Sequence, residues 1–230
     1  MVDRFQPLLE KLNLEFKNKD LLIQAFTHRS YLNEAGKHRQ SNERLEFLGD
    51  AVLSHIVSEY LYTNYPTYPE GRLTHLRSTV VKTETLSEIS ASLNLGKYLF
   101  LSKGEDKGGG RINKSLLADT FEAVIGALYL DQGLMAVQKF LEQVLFAKIN
   151  HIFKKEISAD YKSQLQEIVQ EISDTPPTYQ VVRTEGPDHD KVFWVTAVID
   201  GQEEEVGMGK SKQEAEQNAA AKTLEKMGKL

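Results

Sequence analysis

The 230-residue sequence contains no cysteine. That excludes disulfides, a thiolate nucleophile and any zinc–sulfur site, and it suits a reducing interior. Long apolar runs are missing as well. None reaches the length that spans a bilayer, and the start, MVDRFQPLLEK, has no signal-peptide core. A soluble, cytoplasmic chain without membrane contact is expected. Net positive charge is also lacking, the total being −5. Residues 1–150 carry 18 Lys+Arg against 18 Asp+Glu and residues 151–230 carry 10 against 15, so the whole deficit lies in the second part. A nucleic-acid partner would have to meet clustered positive charge rather than an overall excess. Internal repeats are absent, and the stretch KGEDKGGGR lacks the G-K-[ST] ending of a P-loop. It reads as a flexible connector in which Lys107 and Arg111 could touch backbone phosphate.

What is present has two textures. Residues 16–35, 42–65, 71–99, 113–133 and 134–153 carry apolar residues at helical spacing, with Gly96 and Gly133 as stops. After about residue 151 the pattern changes. A helix over 160–172 precedes three runs, 176–186, 191–201 and 202–209, whose β-branched and aromatic content predicts strands. Asp200-Gly201 is a hairpin signal. The end is a helix with Ala215, Ala219, Leu224 and Met227 near one face. The predicted architecture is an all-α domain over residues 1–150, a polar linker over 151–158, and a small α+β domain (α-β-β-β-α) over 159–230.

The chemistry concentrates in SNERLEFLGD. Glu43, Glu46 and Asp50 are spaced three, then four, which places them on one helical stripe, while Leu45, Leu48, Val52 and Ile56 point roughly opposite. The helix is apolar nearly all round, so the acidic stripe is expected to be enclosed by protein. Asp119 and Glu122, three apart, repeat the pattern amid Leu116, Leu117, Phe121, Val124, Ile125 and Leu128. An unpaired buried ion costs several kcal/mol, so two such helices imply a shared cation. Arg29, Arg44 or Lys114 could supply it as ordinary salt bridges. That alternative is strongest for Glu43, in a first helical turn after Ser41-Asn42. For the other four, a metal is the better reading. The ligands are all oxygens, with no cysteine and no Glu-x-x-His, which favours Mg²⁺, with Mn²⁺ as a substitute, over zinc or di-iron. Such a site can hydrolyse a phosphodiester.

NERLEFLGDAVL (42–53) together with ADTFEAVIGALYLDQG (118–133) closely resembles the ribonuclease III family, and the tail resembles its double-stranded-RNA-binding domain. The resemblance covers nearly the whole chain. It implies a Mg²⁺-dependent endoribonuclease that acts as a homodimer on double-stranded RNA. The products would be 5′-phosphate and 3′-hydroxyl ends with short 3′ overhangs, and the substrates ribosomal RNA precursors and structured messenger or small RNAs. Carried over, Glu46, Asp119 and Glu122 match the metal ligands, and Asp50 and Glu122 the catalytic carboxylates. Glu43 and Glu70 match accessory acids, although Glu70 reads equally as a surface turn acid. Phe47 matches a dimer-interface aromatic, with core packing as its alternative.

Duplex RNA is read by shape across two minor grooves and the major-groove phosphates between them. Three patches resemble the family's RNA-contacting regions. Lys210 and Lys212 stand at a helix start whose free backbone N–H groups would add to an anion site. Ser163, Gln166 and Gln170 share one helical face, and His189 lies in a loop between strands. Each alone is commonly just a solvated surface residue. The departure from the family pattern is electrostatic: Asp188 and Asp190 flank His189, and Glu203–Glu205 are expected in a β-turn region. Weak RNA binding by the tail alone follows, with Arg72, His75 and Arg77 on the helical body adding grip. Two other classes compete: a non-catalytic RNA-binding protein on the same fold, and a carboxylate–metal hydrolase acting on nucleotides.

Overall fold

The structure, a computed structural model, describes residues 2–35, 40–149, 153, 161–173, 175–187 and 190–229. The chain forms two compact units, Met1–Ile152 and Phe153–Leu230. Apart from Phe153, the predicted linker 151–158 lies outside the described residues, as does His189. Among the described residues no helix is long and apolar enough to cross a membrane.

The first unit is helical: α1 (Gln6–Leu12), α2 (Lys19–Ala25), α3 (Leu32–Ala35), α4 (Glu43–Asn64), α5 (Glu70–Val81), α6 (Thr83–Leu93), α7 (Lys103–Lys107), α8 (Lys114–Gln132) and α9 (Leu134–Leu141). The last continues through a π turn, Glu142–Phe146. Helix α8 buries Leu117, Phe121, Val124, Ile125 and Leu128, and α2, α4 and α6 pack against it. The α4–α8 crossing is a backbone-to-backbone contact. A Cβ on Gly49 would sit 1.8 Å from the Glu122 carbonyl oxygen, and one on Gly126 would sit 2.1 Å from that of Leu45. Only glycine permits this approach, because any side chain would occupy the partner's backbone.

Three stretches differ from the sequence expectation. Residues 16–35 are not one helix. The chain leaves α2 at Phe26, and Thr27 makes a parallel bridge to Phe100, with Phe100 N–H donating to Phe26 O and His28 N–H to Phe100 O. Residues 71–99 break at Lys82, whose backbone is extended, and α6 ends at Asn94 in the left-handed region (φ 60°) rather than at Gly96. Asparagine tolerates that conformation, so it supplies the stop itself. Gly96 serves a close approach instead, since its Cβ would lie 2.0 Å from Arg111 O.

The predicted flexible connector is ordered. Ser102 Oγ caps α7 by accepting from Glu105 N–H. Arg111 donates to both Asp106 oxygens at 2.7 and 2.9 Å and to the carbonyls of Gly96 and Leu99 at 2.9 and 3.0 Å. Its guanidinium is therefore committed to the fold rather than to phosphate. The residues themselves explain the order: a planar five-donor side chain ties a carboxylate and two backbone carbonyls together at once.

The second unit has the predicted α-β-β-β-α order. Helix α10 (Tyr161–Gln170) precedes β1 (Thr178–Glu185), β2 (Val192–Ile199) and β3 (Gln202–Gly209), and α11 (Lys212–Lys226) follows. The strands form one antiparallel sheet in the order β1-β2-β3. Asp200 and Gly201 turn the β2–β3 hairpin with φ of 50° and 79°, the double left-handed conformation that the Asp-Gly pair favours. Leu165 and Val169 of α10, Ala197 of β2, and Ala220 and Leu224 of α11 form the core. Glu203–Glu205 lie within β3 rather than at a turn, and Lys226 pairs with Glu204 (3.0 Å) and Glu205 (3.5 Å).

Candidate metal and catalytic site

Helix α4 presents Glu46 and Asp50, and α8 presents Asp119 and Glu122, on either side of the glycine crossing. One carboxylate oxygen each from Glu46, Asp119 and Glu122 lies within 4.8 Å of the other two. The three side chains are half-buried and Asp50 is exposed. This corrects the expected enclosure of the acids. Rather than being apolar all round, α4 leaves Glu43, Arg44, Phe47, Asp50, Ala51, His55, Glu59 and Tyr62 exposed. Glu43, Glu46 and Asp119 line an open cleft of about 440 Å³ whose wall also includes His28, Arg29, Asn42 and Thr120.

The electrostatics are those of unneutralised like charge. Burial first, then Asp50, Glu46 and Asp119, push the Glu122 carboxyl up to about 8. Glu46 is raised by burial and by Asp119, Glu43 and Asp50. Asp119 is raised by burial, against a lowering from His28 and from its own backbone hydrogen bond. Among the described residues, no protein cation forms an ion pair with Glu46, Asp50, Asp119 or Glu122. Of the three cations the sequence offered, Arg29 pairs with Glu43 at 3.5 Å, and Arg44 and Lys114 are exposed without such a pair. Glu43 thus makes the ordinary salt bridge, and it also accepts from Ser41 Oγ at 2.8 Å.

The remaining candidates are placed as follows. Phe47 is 81% exposed in the chain, so core packing is ruled out. Glu70 opens α5 rather than sitting in a turn, accepts from Thr74 Oγ1 at 3.0 Å, and stands outside the three-carboxylate cluster. Nearby, the Arg72 guanidinium stacks on Tyr68, 4.0 Å from the ring centre, and Arg77 donates to Ser58 Oγ. In the second unit Ser163, Gln166 and Gln170 share the exposed face of α10, opposite Leu165 and Val169. Lys210 and Lys212 are exposed at the start of α11. The anion site there is less open than expected: Lys210 N–H donates to Glu214, and Glu214 N–H to Ser211 Oγ. A reciprocal cap takes up those amides, leaving the ammonium groups as the main attraction. The sequence reading missed His28, Asn42 and Thr120. His28 lies in an irregular segment, where no periodic signal marks a functional side chain.

The Ribonuclease-III-like family model matches residues 18–149, and the double-stranded RNA binding motif model matches residues 161–227. Ribonuclease 3 of Geobacillus kaustophilus is 48% identical over 223 residues, a span of 96% of this chain and 90% of that protein. Ribonuclease 3 of Bacillus cereus strain G9842 is 46% identical over 226 residues, covering 98% and 92% respectively. A solved structure of the nuclease domain of ribonuclease III from Campylobacter jejuni, described for flexibility in a region involved in dimer formation, aligns with a TM-score of 0.58 at 39% identity. That alignment covers 62% of this chain and 96% of that one. With Glu46 of α4 and Asp119 and Glu122 of α8 brought together and both units matched to known domains in this order, the chain belongs to the ribonuclease III family.

Proposed function

We propose that this chain is a Mg²⁺-dependent endoribonuclease that cleaves double-stranded RNA to 5′-phosphate and 3′-hydroxyl ends with short 3′ overhangs. The observation that carries the metal assignment is the convergence of Glu46, Asp119 and Glu122 within 4.8 Å with no pairing cation among the described residues. Three repelling half-buried carboxylates fit a divalent cation, and their all-oxygen donor set suits Mg²⁺ or Mn²⁺. When bound, the cation supplies Lewis acidity at the phosphodiester. Glu46, Asp119 and Glu122 hold it, with Glu122 joining Asp50 as the catalytic carboxylates. Cleavage to these ends means that a water oxygen bonds to phosphorus, the P–O3′ bond breaks, and the 3′ oxygen gains a proton. Exposed Asp50 is where solvent water is within reach. Glu43 and Glu70 act as accessory acids near the scissile phosphates.

The α-β-β-β-α unit binds the duplex through Ser163, Gln166 and Gln170 on α10, through Lys210 and Lys212, and through His189. Phe47 supports a homodimer, because a phenyl ring left largely exposed on α4 favours a second surface. The functional division is residues 1–150 for cleavage and 159–230 for binding, joined by 151–158. Ribosomal RNA precursors and structured messenger or small RNAs are the proposed substrates. The cysteine-free composition supports a cytoplasmic site of action. The test is incubation of a perfect RNA duplex with Mg²⁺, alongside EDTA and a Glu122→Gln variant, with gel mapping of the ends. Staggered cleavage is expected with Mg²⁺ alone. Cleavage that survives EDTA or the substitution would overturn the assignment.

A further inference from the structure

His28 has no part in the roles proposed above, yet its imidazole lines the same cleft as Glu46 and Asp119. Its backbone is pinned by the donation of its N–H to Phe100 O at 3.1 Å. Nδ1 accepts Ser30 N–H at 3.3 Å and lies 2.9 Å from Ser30 Oγ. Ser30 Oγ in turn accepts Ser102 N–H at 3.0 Å. A backbone N–H can only donate, so Nδ1 must present its lone pair there. The Ser30 hydroxyl, having accepted from Ser102, has its own proton left to donate to the same nitrogen. The Ser30 N–H therefore requires an unprotonated Nδ1, the hydroxyl is able to donate to it as well, and the neutral ring carries its proton on Nε2. No described residue receives a hydrogen bond from Nε2.

The imidazole N–H is thus held in a wall that carries acids. The groups facing it are Glu43 and Glu46 from α4 and Asp119 from α8. Arg29, next in the chain, is turned to Glu43 at 3.5 Å and is largely exposed. Glu43 is already taken by Arg29 and Ser41, which leaves Glu46 and Asp119 as the acids of this wall open to the imidazole. A carboxylate ligand has a second oxygen that needs a partner if the side chain is to keep one orientation.

We propose that His28 is a positioning residue of the metal centre: its Nε2–H donates across the cleft to the Asp119 carboxylate through one bridging water and turns the other oxygen of Asp119 toward Glu46 and Glu122. The inference rests on the metal assignment above. It also gives the ordered connector a role. Ser102, whose side chain caps α7, fixes through its N–H the serine that sets the histidine tautomer.

Two measurements on the full chain without RNA test this. Imidazole ¹⁵N spectra of the wild type should show His28 with a pyridine-type Nδ1 and a protonated Nε2. A protonated Nδ1 overturns the proposal, and this readout needs no variant to fold. Calorimetric Mn²⁺ titration should show affinity lowered about tenfold in His28→Leu and restored to within about threefold in His28→Gln, whose amide N–H can stand where Nε2–H stood. Affinity unchanged in His28→Leu, or equally lost in His28→Gln, overturns the positioning role. Glu122→Gln separates the two levels: if it too leaves Mn²⁺ binding unchanged, the metal assignment falls and His28 with it. If it abolishes binding while His28→Leu does not, only the histidine proposal falls.

Discussion

Glu122 sits among like charges, and its carboxyl is pushed up to about 8 against an ordinary value of 4.5. Between those values the folded chain holds a proton that the unfolded chain releases. Stability of the metal-free protein should therefore fall as pH rises from about 4.5 through about 8, since the slope follows the excess of protons bound in the native state. Melting curves at pH 5, 6.5 and 8 check this, and Glu122→Gln should flatten the decline and raise the melting temperature at pH 8. A metal ion must displace the same proton, so Mn²⁺ affinity should increase across that range, with proton release detectable in buffers of different ionisation enthalpy. The same substitution should lower cleavage by about 100-fold or more while leaving duplex binding within about twofold, because it removes charge from the reacting centre and not from the RNA-contacting surface. Filter binding in Ca²⁺ beside a cleavage assay in Mg²⁺ separates the two effects.

At the scale of elements, the site depends on how closely α4 and α8 cross. Gly49 and Gly126 let each helix touch the other's carbonyl oxygens, and this contact brings Glu46 together with Asp119 and Glu122. Gly126→Ala should destabilise the fold by about 1–3 kcal/mol, as overpacking does, even though alanine is the better helix former. Urea denaturation measures the loss. Mn²⁺ affinity should drop as well, since the helices that carry the ligands are forced apart. The helical spacing of the acids was legible in the sequence, as was their sharing of a face. The glycines that place the two faces together were not, because a glycine in a helix carries no periodic signal and gains meaning only from the opposing backbone. Asn94 and Arg111 illustrate the same limit. A left-handed asparagine ends a helix where Gly96 looked the better stop, and an arginine orders a loop whose glycines suggested flexibility.

For the whole molecule, two exposed features carry predictions. If the proposed homodimer is formed through Phe47, Phe47→Glu should shift the protein to a monomer in sedimentation experiments with its circular dichroism unchanged, since the ring makes no core contact to lose. In the binding unit, Lys210→Ala should weaken all duplex sequences alike and reduce the slope of log affinity against log salt by about one, the mark of a lost phosphate contact. A change in sequence preference would contradict it.

The sequence by itself determined the class of each unit, the α-β-β-β-α order of the second and the helical faces that the acids share. These follow from periodicity, turn chemistry and residue type, all of which act over a few neighbouring positions. The tertiary structure alone decided that Glu46 and Asp119 border an open cleft, that Arg29 is spent on Glu43, that Phe47 faces outward and that His28 lines the same cleft as Asp119. Each of these depends on which distant backbone lies within a few ångströms, and that is set by packing rather than by local pattern.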